Sequence, residues 1–540
     1  MNTEKNYFEI VWNLLKKERA YYSSVVILSI FLSLISLAIP VSVQSLVNTV
    51  TFGVLLQPII VLSFLLLFIL GINVFLNALL LKTLEFFQQH FFAKMSLSVV
   101  EKILGSNIKK LNQINQNNLS HRYYDIMTVQ KSMTTILSDG VFITLQLFVG
   151  MILISLYHPY FLIFDLILIV SLVLIWKLLG KAAIKTAISE SYAKYDMGNW
   201  INEISRIHTL FRRHSKLALS KAESLTFKYL KARNNHFRYL FAQVMGLFIL
   251  YAFLSAFVLG VGGYLVVIGQ LSMGQLVAAE IIVTLILTSL TKFGKILEKL
   301  YDLTAALDKL NIFNELDEYE KSIIISNRIE MNELQVQNSS GEIYTFNVKL
   351  EPHHRYLLKS EDQSKLNTLI GLLKGYRQIV KGHFHIKCVA DTDHTDYLMI
   401  RNFFLLERPE IIRGTIEENL ILQEDVDIQF MNDLLEKIEL EQSITLLDNG
   451  LQTVLSSDGS PLSYKSILKL EIIRAILFRP LFIVLTPTFK VFSRRERDMI
   501  VDLLKTNNIG IISICPVSAC ETFEVISLDD NTKVESKDDK

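Results

Sequence analysis

The chain has 540 residues, 51% hydrophobic and 20% charged, with a formal net charge of +1 and a mean hydropathy of +0.36. It is too apolar for a soluble enzyme and too charged for a bundle lying wholly in lipid, so a membrane part joined to a water-exposed part is expected. The near-zero net charge gives no electrostatic case for nucleic acid as a partner. The three cysteines, Cys388, Cys515 and Cys520, show neither metal-ligand spacing nor a disulfide framework.

In chain order, residues 1–20 read as an amphipathic elbow helix at the membrane surface, without a signal-peptide cleavage site. A crossing needs about 20 apolar residues, and six such stretches fall near 22–47, 54–81, 136–157, 160–180, 238–268 and 274–298. Pro40 is read as a kink in the first. Three connections are short and uncharged. The other two, from Lys82 to about Leu137 and from Lys177 to Arg238, are long, basic and helical in pattern. Positive charge resists translocation, which places these segments, both termini and everything after residue 300 in the cytoplasm. Polar residues at membrane depth are Asn73, Asn77, Asp165 and Glu280. Asp165 and Glu280 read either as functional carboxylates or as groups paired within the bundle or set near an interface, and the second reading is preferred.

After about residue 315 the hydropathy falls. Residues 316–329 read as a charged linker and 330–540 as a cytoplasmic domain. There "HRYLLK", "YLMI" (Tyr397 to Ile400), "LFIVLT", "IGIISIC" and "EVISLDD" alternate with helical patterns, which argues for an α/β domain with a largely parallel sheet.

Two cytoplasmic segments, in their order and spacing, and one segment of the first span resemble an ABC exporter half-transporter. "ERPEIIRGTIEENLIL" resembles the stretch after that family's glutamine loop. "SSDGSPLSYKSILKLEIIRAILFRPLFIVL" resembles its signature loop, the helix that follows and the Walker B strand, and "IPVSVQSLVNTV" looks most like the type I secretion group. The resemblance implies a six-helix transmembrane domain (21–315) with long cytoplasmic helical extensions, followed by an α/β ABC-type nucleotide-binding-like domain. It further implies a homodimer, or a heterodimer with another ABC half-transporter, in the lipid of a bacterial inner membrane, with a periplasmic adaptor as a further partner. Turns near Asn117–Tyr124 and Asn199–Arg206 correspond to the elements that dock on the soluble domain. No Cys/His peptidase pattern precedes the first span, so leader-peptide cleavage is not expected of this chain.

The positions that carry ATP chemistry in that family are substituted here. A phosphate loop needs glycines whose backbone approaches the phosphates, then Lys and Ser/Thr. The matching "KSEDQSKLNTL" has Lys359, Ser364, Lys365 and Leu366, with two carboxylates, Glu361 and Asp362, where phosphates would lie. Lys365 is read as solvated or as a partner of Glu361 or Asp362. Glu407 stands at the glutamine, Thr486 at the magnesium-binding Asp, Pro487 at the catalytic base and Cys515 at the switch histidine. Proline accepts no proton, and Cys515 reads as a buried inert thiol. In "LSYKS", Ser463 and Lys465 either touch nucleotide held by a partner chain or merely start a helix, with Ser463 as its N-cap; the latter is preferred.

No ATPase activity is therefore expected, and weak or absent binding of ATP and magnesium. Three functions follow: an inactive exporter-like subunit in a transport or secretion complex; an exporter that pairs with an active partner or uses an atypical ATP site; and a membrane scaffold or receptor that draws no energy from nucleotide.

Overall fold

A computed structural model describes residues 19–36, 38–51, 56–106, 111, 117–314, 316, 329–377, 379–386, 402–422, 426–515 and 522–529. The elbow helix (but for 19 and 20), most of the linker, the "YLMI" run, Cys388 and Cys520 lie outside them. The chain divides into two compact units, residues 1–104 with 114–317 and residues 105–113 with 318–540.

The first unit is all helical. The first predicted span is two helices, α1 (Arg19–Ile35) and α2 (Ala38–Thr51). Proline has no N–H, so Pro40 cannot donate to the carbonyl four residues back, at Ser36, and the helix gives way there. Then follow α3 (Leu56–Leu104), α4 (Asn117–Tyr123), α5 (Asp125–Thr135), a π-helical turn at Ile136–Gly140, α6 (Val141–Tyr157), α7 (Phe161–Arg206), α8 (His208–Arg213), α9 (Ser215–Val267) and α10 (Met273–Leu310). Among the described residues five helical stretches are long and apolar enough to cross a membrane, and Tyr21–Ile35 is a shorter apolar helix. Six crossings therefore become five long ones plus the broken first.

At 1.5 Å per residue α9 is about 80 Å long, against about 30 Å of hydrocarbon, so α3, α7, α9 and α10 continue well beyond any bilayer as the basic segments predict. Outside the apolar stretches α7 and α9 are joined by ion pairs, Lys228–Asp196 at 2.6 Å and Arg233–Glu190 at 3.2 Å. The reversal between them falls at 207–214, not at Asn199–Arg206, because α7 runs unbroken to Arg206. The turn into α10 uses Gly269 at φ +74°, left-handed backbone that suits glycine. Ser272 and Gln275 then form a capping box. Asp165 accepts a hydrogen bond from Ser155 Oγ across the α6–α7 turn, while its Oδ1 and Glu280 Oε2 are buried without a partner.

One buried ion pair fixes the lower part of this unit. Lys309 on α10 and Asp125 on α5 are 2% and 3% exposed, and Lys309 Nζ lies 3.0 Å from Oδ1 and 2.9 Å from Oδ2. The ammonium sits 3.8 Å from the centroid of the Tyr195 ring on α7, and Arg122 on α4 donates to the Lys309 carbonyl at 3.1 Å. Burial pushes the Lys309 ammonium down to about 8 against the pull of Asp125. Four helices thus meet at one pair.

Among the described residues the second unit has three sheets, the smallest being the antiparallel pair β6 (Gly414–Thr415) and β7 (Val454–Leu455). β1 (Ile329–Gln337), β2 (Ile343–Leu350) and β4 (Ile379–Ile386) form an antiparallel sheet in the order β2-β1-β4. The main sheet is parallel, in the order β10-β3-β9-β8-β5, from β3 (Arg355–Lys359), β5 (Phe403–Leu406), β8 (Phe482–Leu485), β9 (Gly510–Ser513) and β10 (Glu524–Ser527). Every residue of β8 and β9 is buried, as a parallel strand covered on both faces requires. Helices α11 (Gln363–Leu373), α12 (Ile416–Leu420), α13 (Ile428–Lys437), α14 (Glu441–Thr445), α15 (Tyr464–Phe478) and α16 (Arg494–Thr506) complete it. The "GTIEEN" segment folds as a strand end and short helix because Thr415 and Glu418 form a capping box. The α15 helix ends at Arg479, in left-handed backbone before Pro480.

Removing one partner of a buried ion pair leaves an uncompensated charge, at about 3–5 kcal/mol. Lys309→Met should therefore lower the apparent Tm of the full chain in detergent, read by fluorescence of Trp176 and Trp200. Adding Asp125→Leu should restore most of the loss. An unchanged Tm in Lys309→Met would remove the pair from its structural role.

Candidate functional site

In a parallel α/β sheet, ligands bind outside the carboxyl ends of the strands. That edge gathers the segment after β3, Glu407 after β5, Thr486 and Pro487 after β8, and Cys515 after β9. Most of the substituted positions therefore fall in one row.

The segment after β3 is closed by groups of the chain itself. Asp362 is the N-cap of α11, and its Oδ1 accepts the Ser364 N–H at 2.8 Å. Its carboxylate serves the helix terminus, where an anion is favoured. Asp529, just past β10, accepts from Ser360 Oγ at 2.6 Å and from the Glu361 N–H at 2.7 Å. These bonds, with the nearby charge of Lys365, hold its carboxyl below the usual carboxylate range.

Lys365 departs from expectation. It is neither solvated nor paired with Glu361 or Asp362. It is 5% exposed and donates to the carbonyl of Leu528, with the Phe346 ring 6.0 Å away. Its place on the first turn of α11 turns it toward β10, where a strand-end carbonyl is available. Leu366 is buried in the core between the antiparallel and parallel sheets, so the position that would offer a metal a hydroxyl is used for packing. Ser364 Oγ accepts from Asn338 Nδ2 at 3.3 Å, and Lys359 ends β3.

The other positions are likewise spent within the fold. Thr486 Oγ1 donates to the Leu406 carbonyl at 2.6 Å and ties β8 to β5. Pro487 opens a 3-10 turn, Pro487–Val491. Cys515 is 2% exposed, with Sγ 3.5 Å from the Thr486 carbonyl, and burial pushes its thiol up. Glu407 is paired with Lys374. Ser463 caps α15 by accepting from Ser466 N at 3.1 Å, and the helix begins at Tyr464. Lys465 is engaged with Glu496 at 2.7 Å, as is Lys469 at 3.3 Å. Burial would raise the Glu496 carboxyl, but these lysines and Ser493 outweigh it and hold it at about 2. Among the described residues no three His, Cys, Asp or Glu side chains come together as a metal site.

Asp529 escapes sequence reasoning because no motif reaches it, and Glu471 and Arg474, which lie on the helix after the signature loop, because their partners Glu410 and Asn419 are distant in sequence. Beside Glu407 lies a cleft of about 810 Å³ bordered by Lys374, Phe404, Glu410, Glu471 and Arg474. Glu471 is 2% exposed, and its Oε1 accepts the Glu410 N–H at 2.7 Å while Oε2 has no partner. Arg474 donates to the carbonyls of Asn419 at 2.9 Å and Glu410 at 2.6 Å. Burial drives the Glu471 carboxyl up to about 7, from an ordinary value of 4.5.

A carboxyl raised in the folded state binds its proton more tightly there. Its stabilising share is fully present below the unfolded value of 4.5 and is lost as pH rises through about 7. Glu471→Gln should therefore raise the thermal stability of the full chain at pH 8, by about 3 kcal/mol, and the gain should shrink by pH 5. Calorimetry at the two pH values checks this; an equal effect at both would contradict it.

No family model matches the chain. It is similar to the lactococcin-A transport/processing ATP-binding protein LcnC of Lactococcus lactis subsp. lactis, 23% identical over 296 residues, which is 52% of this chain and 41% of that protein. It is also similar to the lactococcin transport/processing ATP-binding protein LcnC-like of Lactococcus lactis subsp. lactis strain IL1403, 25% identical over 235 residues, 42% of this chain and 33% of that one. The pediocin PA-1 transport/processing ATP-binding protein PedD of Pediococcus acidilactici is 27% identical over 239 residues, 42% of this chain and 33% of its own length. The chain thus spans well under half the length of these curated relatives. Five long apolar helices followed by an α/β region, together with these relatives, support an ABC exporter half-transporter.

Proposed function

We propose that this chain is a catalytically inactive ABC exporter-like subunit of a transport or secretion complex. In this reading it works as a dimer in the bacterial inner membrane, with both termini in the cytoplasm, and takes no energy from ATP of its own. The relatives named for transport and processing support the transport setting. The excess of Lys and Arg in the long connections supports the orientation.

The observation that carries the reading is the state of the segment after β3. The one residue retained from a phosphate loop, Lys365, is buried and bonded to the Leu528 carbonyl. The helix terminus that would meet a phosphate is capped by Asp362, and the Glu361 N–H is taken by Asp529. Magnesium would find Leu366 and Thr486 where it needs a hydroxyl on one side and a carboxylate on the other, with the Thr486 hydroxyl committed to Leu406. The residues present do not fit Mg-ATP. Ser463 and Lys465, spent on a cap and on Glu496, favour the helix start over contact with a partner's nucleotide.

Titration of the full chain in detergent with ATP, with and without Mg²⁺, checks this. The expected result is no binding up to roughly 1 mM, no hydrolysis above background, and no change on Lys365→Ala. Tight Mg-ATP binding that Lys365→Ala abolishes would overturn the reading.

A further inference from the structure

The stretch between β5 and β6 runs along the cleft beside Glu407, with Arg408, Pro409 and Glu410 in its lining. It has neither helix nor strand from Glu407 to Arg413, and Arg408, Glu410 and Ile412 are exposed. Both of its ends are tied. The Thr488 hydroxyl donates to the Glu407 carbonyl at 3.1 Å. The Asn419 side chain accepts the Ile412 N–H and donates to the Ile412 carbonyl, each at 3.0 Å. Between the ties Glu410 is pinned by two side chains one turn apart on α15. Glu471 Oε1 accepts its N–H at 2.7 Å, and Arg474 Nη1 donates to its carbonyl at 2.6 Å.

This pin suits a neutral acid. Glu471 is 2% exposed and its Oε2 has no partner. A carboxylate taken out of water with one oxygen unmet is costly, whereas the protonated acid has no charge to solvate. The cations bordering the cleft do not supply the missing donor. Lys374 is paired with Glu407, and Arg474 donates to the carbonyls of Glu410 and Asn419. Arg408 is exposed and lies near Lys374. Arg474 favours a charge on Glu471, while the Glu410 carboxylate opposes one. Burial outweighs both and holds the Glu471 carboxyl at about 7.

We propose that the strap from Arg408 to Ile411 is a proton-dependent latch on this cleft: neutral Glu471 holds it on α15, and ionised Glu471 releases it. An ionised Glu471 finds its missing partner in water admitted to the cleft, or in Arg474 drawn off the Glu410 carbonyl, and either one unpins Glu410. The ties at Glu407 and Ile412 remain, so the strap lifts between them while β5 and α12 stay folded. In the lifted state the carboxyl returns toward its ordinary 4.5, so the closed state binds the proton more tightly. Closure is therefore favoured below pH 7 and weakens as pH rises through about 7. Between pH 6 and pH 8 the lifted fraction should rise about tenfold. The latch needs no nucleotide and does not depend on the inactive-subunit reading.

Hydrogen exchange of the full chain in detergent at pH 6 and pH 8, corrected for the intrinsic exchange rate, reads the Glu410 amide directly. Its protection should fall about tenfold at pH 8, and in Glu471→Gln it should not change with pH. Glu410→Gln, which removes the opposing charge, should leave a smaller fall in the amide at the same position. The Ile483 and Val484 amides of β8 should be far more protected than Glu410 at both pH values. Equal protection of the Glu410 amide at pH 6 and pH 8 would overturn the latch, as would the same fall in Glu471→Gln. So would a Glu410 amide as protected as those of β8, since its exchange would then report unfolding of the whole unit.

Discussion

The first turn of α11 leaves backbone N–H groups facing the carboxyl edge of the sheet, and a helix start of this kind must find an acceptor or an anion. In this chain the acceptor is the side chain of Asp362, one residue before the helix. Once that cap is internal, the neighbouring groups close in turn. Asp529 takes the Glu361 N–H, just before the cap, and the Ser360 hydroxyl, and Lys365 turns to Leu528. The end of β10 is thereby tied to the segment after β3, and an edge that binds ligands in other parallel sheets is occupied by its own strand ends.

Closure of that edge leaves the scaffold intact. Thr486 bonds across to Leu406 and the Cys515 thiol to the Thr486 carbonyl, so substituted positions still stitch β5, β8 and β9 together. The first unit keeps its own internal order through Lys309 and Asp125, which gather α4, α5, α7 and α10 at one buried point. Each unit is held by interactions that need no nucleotide, in keeping with the inactive subunit proposed above.

Much of this was legible in the sequence because it follows from periodicity and composition. The long basic segments have apolar residues at helical spacing and form the long helices. The buried "LFIVL" run is β8, Ser463 caps α15, and Arg479-Pro480 ends that helix. The break at Ser36 lies four residues before Pro40, where proline fails to donate, yet sequence alone reads one kinked span there. The reversal after α7 falls several residues beyond Asn199–Arg206 because Ile201, Ile204 and Ile207 continue the helical pattern. The burial of Lys365 is not legible in the sequence because its partner is a backbone carbonyl 163 positions away, which no local pattern reveals. Asp529 and Glu471 were missed for the same reason, since their roles come from tertiary proximity.

The central claim is that the segment after β3 is closed by the chain and takes no nucleotide. Hydrogen exchange of the full chain across residues 359–369, with and without Mg-ATP, tests it directly. The account predicts slow exchange of the Ser364 and Glu361 amides in both conditions, with no difference on adding Mg-ATP. Fast exchange in the free chain that becomes slow with Mg-ATP would contradict it.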